Sequence, residues 1–410
     1  MLSTLSLKYC HQILYDPKFS IRKEFKFKKL PIIVRMLIIQ LMDPAERFAL
    51  SLTSKRMKTE VKLIKKQYYY FQIIFRNRAS YIQLRGVTGF EICCNSLGYK
   101  RGLGGYHWLH YNKGTLIGNT DLAINKMSDV FNMDGLEMLF TKVTPSLIRL
   151  KKIFSNDTFK SSWDKITVHD IVLNSEIVNF FLNMADRRKE FYIFDCDMPL
   201  DFKHENAFKF GTICYFDARW VTLSDMQNIR AVENVSLYRT RLTSNHVRRF
   251  ISRWINCPRD MFKWMRITAM EIIQLGGLFN ELVVLEHDMN PPNIGYFTLA
   301  KPTSRPYKLL FIHYKLNAAV LSAWKPYDNA DRDGNIEEKF KKNSRRDENE
   351  EMFKNVYEIL VLLEKKRTLE KELEEIKDVA KRRGYRDQIQ ELERKIHELG
   401  VFYRDGRATF

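Results

Sequence analysis

The chain has 410 residues, of which 45% are hydrophobic and 29% are charged. These proportions are typical of a folded globular protein and exclude an intrinsically disordered chain, while the length predicts about two or three domains. No apolar run reaches the roughly 18 residues that a membrane-spanning helix requires. Lys and Arg outnumber Asp and Glu by 68 to 49, and the resulting net charge of +19 favours acidic partners.

The basic excess is concentrated near the start of the sequence, where residues 1–66 contain 15 Lys and Arg but 5 Asp and Glu. Such a patch raises the association rate with an acidic protein or with nucleic acid. The sequence contains no zinc finger, no basic region followed by a zipper and no aromatic RNA-recognition motif. An acidic protein is therefore the favoured partner, and nucleic acid is the less favoured one.

The six cysteines are too few for a disulfide-stabilised scaffold in a chain of this length. No two of them have the Cys-x-x-Cys spacing that zinc sites use, so we expect no metal. This usage is typical of a reducing compartment, and we expect a cytoplasmic or nuclear protein. The cysteines are Cys10, Cys93, Cys94, Cys196, Cys214 and Cys257.

Residues 1–24 are interpreted as an N-terminal arm, and residues 25–70 as a small domain of three helices. Pro31 suits the first position of one helix, and Asp43-Pro44 supplies the N-cap and the first residue of a second. Thr53 is the predicted cap of the third helix. The first helix carries an apolar stripe at helical spacing, formed by Val34, Leu37, Ile38 and Leu41.

A helical unit of this size cannot bury much core of its own. Its apolar side chains must therefore be covered by the rest of the chain or by a second protein. The first possibility describes an ordinary helical cap on a larger domain, and the second describes a docking module. Helical spacing alone does not decide between the two.

The same segment resembles an F-box. The resemblance rests on the Leu30-Pro31 pair, the apolar run that ends at Leu41, the Asp43-Pro44 corner and residues 50–55. It implies docking onto the small acidic adaptor of cullin–RING ubiquitin ligases through a buried apolar centre with a polar rim. The residues expected to contact the adaptor are Leu30, Pro31, Val34, Leu41, Leu52, Ser54 and Lys55.

Residues 71–325 predict an α/β domain in which short strands alternate with helices capped by Asn174, by Thr222 and by Thr243 or Ser244. The strands begin at intervals of roughly 20 to 30 residues, a period typical of leucine-rich-repeat-like solenoids. The spacing also fits a doubly wound sheet, so both architectures stay open. The predicted strands are Leu136–Phe140, Ile166–Leu173, Phe191–Cys196, Ile213–Phe216, Val235–Tyr238, Phe262–Ile267 and Leu282–Leu285.

Part of this region, residues 216–267, resembles the type 2 F-box-associated domain of the large nematode F-box family. The matching elements are Trp220 with Thr222-Leu223, Val235–Leu237, Leu242–Ser244, the helix from Phe250 to Trp254, and Met261–Ile267. The sequence departs from the family pattern at Arg248-Arg249 and at Asn256-Cys257. The resemblance implies a substrate-receptor subunit in which the F-box contacts the ligase and the associated domain contacts the target.

The last part of the sequence predicts a helical module behind a polar connection. Residues 326–347 are charged and contain Pro and Gly, and they are interpreted as a linker. Residues 348–400 carry two apolar stripes, which predict a helical hairpin or a short coiled coil with its turn at Gly384. Residues 401–410 are interpreted as a tail.

Two groups of acidic residues have spacings found in calcium-binding or catalytic sites, but each lacks another residue that such a site requires. Asp331 and Asp333 stand in an EF-hand-like run whose twelfth position, normally a bidentate Glu, is Phe340. Asp195 and Asp197 share a strand face, but no His or nucleophile accompanies them at a fixed spacing. Because no other catalytic signature occurs, we expect no catalytic residue, no metal and no cofactor.

These observations predict a non-catalytic substrate receptor of an SCF-type ubiquitin ligase, which bridges the adaptor to a protein target. Two alternatives from other classes stay open. One is a basic nucleic-acid-binding protein, and the other is a repeat-type protein-interaction scaffold without a link to a ligase. The sequence assigns no residue to substrate binding.

Overall fold

In this computed structural model, 15 strands form one mixed sheet. The predicted arm at 1–24, the linker from residue 327 onward and the EF-hand-like run lie outside the described residues. In the described part of the chain, no helix combines the length and the apolar character needed to cross a membrane. The structure describes residues 27–64, 68–87, 90–95, 114–288, 294–301, 305–326 and 355–410.

Three helices precede the sheet: α1 (Ile32–Leu41), α2 (Pro44–Thr53) and α3 (Lys55–Leu63). Pro31 stands at the N-cap of α1 rather than at its first residue. Asp43 caps α2 and exchanges hydrogen bonds with Glu46 in a capping box. The predicted cap at Thr53 is wrong, because Thr53 ends α2 and the Ser54 side chain accepts the hydrogen bond at the start of α3.

Nine strands form the first part of the sheet. They are β1 (Tyr68–Arg76), β2 (Ala79–Leu84), β3 (Glu91–Asn95), β4 (Asn132–Thr141), β5 (Lys165–His169), β6 (Glu190–Phe194), β7 (Thr212–Tyr215), β8 (Val232–Thr240) and β9 (Phe262–Ala269). Strands β1 to β3 pair antiparallel, whereas β1 and β4 to β9 form a parallel ladder. The sequence patterns did not predict β1 and β2, because their Tyr-rich and mixed composition lacks clear alternation.

Helices connect the parallel strands: α4 (Leu116–Ser128), α5 (Leu147–Phe154), α6 (Asp157–Ser161), α7 (Ser175–Leu182), α8 (Leu223–Gln227) and α9 (Ser244–Asn256). Asn174, Thr222 and Thr243 cap α7, α8 and α9, which confirms those predicted caps. From β4 to β9 the order of the strands in the sheet follows the sequence. A doubly wound sheet reverses its strand order at a switch point. The strands from β4 to β9 show no such reversal, so this part of the sheet is not doubly wound.

The same turn recurs where a strand leads into a helix. A non-glycine residue with positive φ lies within one residue of the end of the strand, and the cap of the next helix stands four residues later. Such a φ costs an ordinary residue about 1 kcal/mol or more, so its recurrence indicates a shared backbone path. The pairs of turn and cap residues are Lys142 and Ser146, Asp170 and Asn174, and Arg239 and Thr243.

The two faces of the sheet differ because side chains alternate along each strand. The connecting helices pack against one face, where the strand side chains form the main core. The opposite face carries half-buried side chains on β6, β8 and β9 and buried ones on β7, and it has no connecting helix among the described residues. We call it the open face; its larger side chains are Tyr192, Phe194, Phe216, Tyr238, Trp264 and Arg266.

The sheet continues beyond β9 with antiparallel strands and ends in the C-terminal hairpin. The added elements are α10 (Gly276–Glu281), β10 (Leu285–Asp288), β11 (Ile294–Leu299), β12 (Leu309–Lys315), β13 (Ala318–Trp324), α11 (Val356–Glu375), α12 (Val379–Glu398), β14 (Phe402–Arg404) and β15 (Arg407–Thr409). Their order from β9 outward is β13, β12, β11, β10, β15 and β14.

Helix α11 covers the sheet on the side of the open face, but only at the far end. Its Ile359 and Leu360 pack into a second core with Phe297 and Phe311. Strand register connects Phe297 to Phe311, Phe311 to Ser322 and Ser322 to Trp264, so these side chains belong to the same face as Trp264. The helical pair therefore bounds the open face at its C-terminal end.

The C-terminal region differs from the prediction in two places. The predicted turn at Gly384 is wrong, because α11 ends at Glu375 and the Asp378 side chain accepts hydrogen bonds from the first amides of α12. Gly384 lies inside α12, where a glycine weakens a helix without ending it. Residues 402–409 form a hairpin instead of a tail, and β15 pairs in parallel with β10.

Candidate functional site

Helix α1 is almost entirely apolar, yet most of its apolar side chains face outward. Only Arg35 and Ile39 are buried in this helix. The exposed fraction is 72% for Ile33, 56% for Leu37 and 88% for Leu41. Large contiguous apolar surfaces of this kind mark sites of protein association.

A buried ion pair holds the inner side of α1 against α3. Arg35 donates from Nε and Nη2 to the two carboxylate oxygens of Glu60, at 2.8 and 2.7 Å. Its Nη1 donates to the backbone oxygen of Leu30, which fixes the turn before α1. Hydrogen bonding to Arg35 lowers the pKa of Glu60, and hydrogen bonding to Glu60 raises the pKa of Arg35.

The orientation of this ion pair explains why the apolar side chains are exposed. With Arg35 directed at α3, the opposite side of α1 cannot also contact the rest of the helical unit. The exposed residues line a shallow apolar groove together with Leu63 of α3, which is itself 63% exposed. The residues of the groove are Ile32, Ile33, Met36, Leu37, Gln40 and Leu63.

Helix α2 anchors the three-helix unit to the first end of the sheet. Phe48 is fully buried in the main core, with its ring centroid 6.0 Å from that of Phe90 and 6.0 Å from that of Phe131. Lys58 and Lys62 of α3 form ion pairs with Asp129 at the end of α4. These contacts set the direction in which the groove faces relative to the sheet.

The structure places the residues predicted to contact a partner at different depths. Pro31, Val34, Leu41 and Lys55 are exposed, whereas Leu30, Leu52 and Ser54 are half-buried. Leu52 packs against the main core, and the Ser54 hydroxyl is occupied as a helix cap. Helical spacing did not select Ile32, Ile33 and Leu63 as contact residues. The signal that could have indicated Ile32 and Ile33 was the unbroken apolar run over Leu30–Val34.

The acidic residues considered for catalysis contact His and Arg side chains at the carboxyl edge of the parallel strands. Asp195 lies 3.1 Å from His169 Nε2. Asp197 lies 3.2 Å from Arg219 Nη2 and 3.7 Å from Arg239 Nη1. Across the described ranges, no three or more His, Cys, Asp or Glu side chains are arranged to hold a metal ion.

Comparison with known proteins identifies the helical unit. Residues 27–66 match the family model of the F-box domain. No curated protein and no solved structure matches the chain. The domain defines the class: F-box domains bind the adaptor of cullin–RING ubiquitin ligases, and proteins that contain them are in general non-catalytic substrate receptors.

This chain carries its F-box domain over α1, α2 and α3 and continues directly into the large sheet. The exposed groove therefore belongs to the domain whose general role is to bind the adaptor.

Proposed function

We propose that this protein is the substrate-recognition subunit of an SCF-type ubiquitin ligase, with the groove of α1 and α3 as its contact with the adaptor. The observation that carries the proposal is the outward direction of Ile33, Leu37 and Leu41 within the F-box match. A stable complex buries about 1,600 Å² around an apolar centre, and these side chains supply such a centre.

The sequence-predicted contact residues fit around this centre. Leu30 and Pro31 directly precede α1, Val34 and Leu41 are exposed on it, and Lys55 is an exposed cation suited to an acidic adaptor. Leu52 and Ser54 are half-buried, so we assign them to the margin of the interface. The principal contacts in this proposal are Ile33, Leu37 and Leu63, together with Leu41.

The proposal assigns target recognition to the strand–helix domain. We propose that residues 216–267 form a type 2 F-box-associated domain within a leucine-rich-repeat-like sheet, and that the protein works in the cytoplasm or nucleus. A receptor of this kind needs no catalytic residue, because holding the target beside the ligase raises its effective concentration.

Co-expression with the adaptor followed by gel filtration tests the adaptor contact. The double substitution Ile33→Asp and Leu37→Asp places two charges at the centre of the groove, and we expect affinity for the adaptor to fall by about 100-fold or more. Both side chains are exposed, so the thermal midpoint of the free chain should change little.

The matched control is Ile148→Asp on α5, where the side chain is 80% exposed and far from the F-box match in sequence. The control should co-elute with the adaptor as the wild type does. Unchanged co-elution of the double variant would refute the assigned contact surface, and failure of the wild type to bind any adaptor would refute the proposed function.

A further inference from the structure

The open face is rich in aromatic side chains that remain partly accessible. Tyr192 and Phe194 stack with ring centroids 5.7 Å apart, and Phe216 and Tyr238 lie at the same distance. Trp264 stands on the next strand, in register with Asn234. Half-buried Tyr, Trp and Arg residues are typical of the centres of protein interfaces, where they supply much of the binding energy.

Arg266 lies among these aromatic residues, and no Asp or Glu of the described residues forms an ion pair with it. Strand register places Ser236 of β8 and Val320 of β13 on either side of it, and its guanidinium lies 5.4 Å from the Tyr238 ring centroid. Its Nε is buried and has no hydrogen-bond partner within the described ranges. Buried donors of charged groups are expected to be paired, so this Nε indicates a missing acceptor.

Three neutral side chains near Arg266 also have unused hydrogen-bonding atoms. Thr268 Oγ1, Ser322 Oγ and His313 Nε2 are each buried without a partner among the described residues. Thr268 is two residues further along β9, Ser322 pairs with Trp264, and His313 pairs with Val320. All lie on the open face around Arg266, where they form a polar cluster inside the aromatic surface.

The chemistry of the cluster selects an oxyanion with a single negative charge. A guanidinium binds a carboxylate in two parallel hydrogen bonds, and hydroxyl groups supply further donors. On this face Lys165 lies 3.2 Å from Glu137, and the exposed Lys315 of β12 stands in register with Ala318, the neighbour of Thr268. The buried charged donor of the cluster belongs to one guanidinium, which matches one carboxylate better than a doubly charged phosphate.

We propose that the open face binds an extended segment of the target protein, and that Arg266, with Thr268, Ser322 and His313, receives an Asp or Glu carboxylate of that segment. The proposal rests on the proposed function, because it gives the substrate receptor its recognition surface. The aromatic side chains pack against the neighbouring residues of the segment, and α11 bounds the surface at its C-terminal end.

The test uses the full chain and an array of decapeptides that place Glu at the centre between varied aromatic and apolar residues. Each peptide has a twin with Gln and another with phosphoserine at the same position. We expect the wild type to bind its best Glu peptides at least 10-fold more tightly than their Gln twins. Arg266→Gln should abolish this preference, and Arg266→Lys should restore part of it.

Arg253→Gln is the matched control, because it removes an exposed Arg from α9 on the helix-covered side of the sheet. This variant should keep the preference for Glu. Circular dichroism at the assay temperature should show that both Gln variants are folded, so that a change in binding cannot be attributed to unfolding.

The proposal is overturned if the wild type binds no peptide of the array, if it ignores the exchange of Glu for Gln, or if Arg266→Gln keeps the preference. Tighter binding of the phosphoserine twins would show that the surface prefers a phosphate to a carboxylate, and this result would also overturn the proposal. The Arg266 variants should co-elute with the adaptor as the wild type does. This measurement separates a failure of the peptide-binding proposal from a failure of the proposed function.

Discussion

At the scale of single residues, the Arg35–Glu60 pair controls the candidate adaptor-binding surface. Both side chains are almost fully buried, and two charge-assisted hydrogen bonds join them. Pairs of this kind are geometrically demanding, because either charge left alone in the interior is costly. The pair therefore fixes the rotation of α1 about its axis, and with it the set of apolar side chains that faces solvent.

This arrangement predicts a pH dependence. The pKa of Glu60 is lower in the folded protein than its ordinary value of about 4.3, so the pair stabilises fully above that value. The contribution is lost as the pH falls through the folded-state pKa. Glu60→Gln should lower the free energy of unfolding by about 2 kcal/mol at pH 7.

Thermal unfolding of the wild type and of Glu60→Gln between pH 7 and pH 3 measures this effect. The difference between the two proteins should shrink as the pH falls from the ordinary glutamate pKa towards the lower folded-state pKa of Glu60, because proton uptake then favours the unfolded wild-type chain. Arg56→Gln is a useful comparison, since Arg56 also contacts Glu60 but is exposed. A difference that stays constant with pH would contradict the assigned role of the ion pair.

At the scale of elements, helix ends follow local rules where a capping side chain is present. Asp43, Asn174, Thr222 and Thr243 all accept hydrogen bonds from amides at the starts of their helices, and sequence reasoning found them. Gly384 misled that reasoning, because the turn is made at Ile376–Asp378 by the Asp378 cap. A glycine thus indicates a turn less reliably than a capping carboxylate.

Gly384→Ala should therefore stabilise the protein by about 0.5 to 1 kcal/mol. A methyl group at this helical position would meet no atom within 4 Å, and alanine restricts the unfolded chain. Chemical denaturation measures the change. Gly400→Ala is the matched control, since Gly400 has a φ of +84° and alanine should be destabilising there by about 1 kcal/mol. Destabilisation by Gly384→Ala would contradict the helix assignment, and stabilisation by Gly400→Ala would contradict the positive φ of Gly400.

At the scale of the whole molecule, α2 joins the F-box domain and the sheet through one continuous core. Phe48 belongs to the same cluster as Phe71, Phe140 and Phe191. A shared core of this kind resists hinge motion, because separating its parts would expose buried apolar surface. The groove on α1 and the open face are therefore held in a fixed relation, which suits a receptor that positions its target.

Phe48→Ala should lower the free energy of unfolding by about 3 to 5 kcal/mol, since it leaves a cavity where the F-box domain meets the sheet. The groove residues are not altered, so adaptor binding at low temperature should persist. Denaturant unfolding and adaptor co-elution measure the two effects. Ile148→Ala on the exposed side of α5 should leave both unchanged, and full stability of Phe48→Ala would contradict a shared core.

Much of the molecule follows from signals within a few residues of one another. The three N-terminal helices, the strands from β4 to β9 and the caps of their helices depend on apolar spacing and on short-range hydrogen bonds, which the amino-acid order specifies directly. The antiparallel strands β11 to β13 were not predicted, because their long apolar runs lack the alternation that distinguishes a strand.

Tertiary structure alone decided which side chains are available for binding. Glu60 stands 25 residues from Arg35, and their contact turns the apolar side of α1 outward. Within the described ranges Arg266 has no carboxylate beside it, because its neighbours across β8 and β13 are Ser236 and Val320. The physical reason is the same in both cases: exposure and charge pairing depend on residues that the fold, rather than the order of the sequence, brings together.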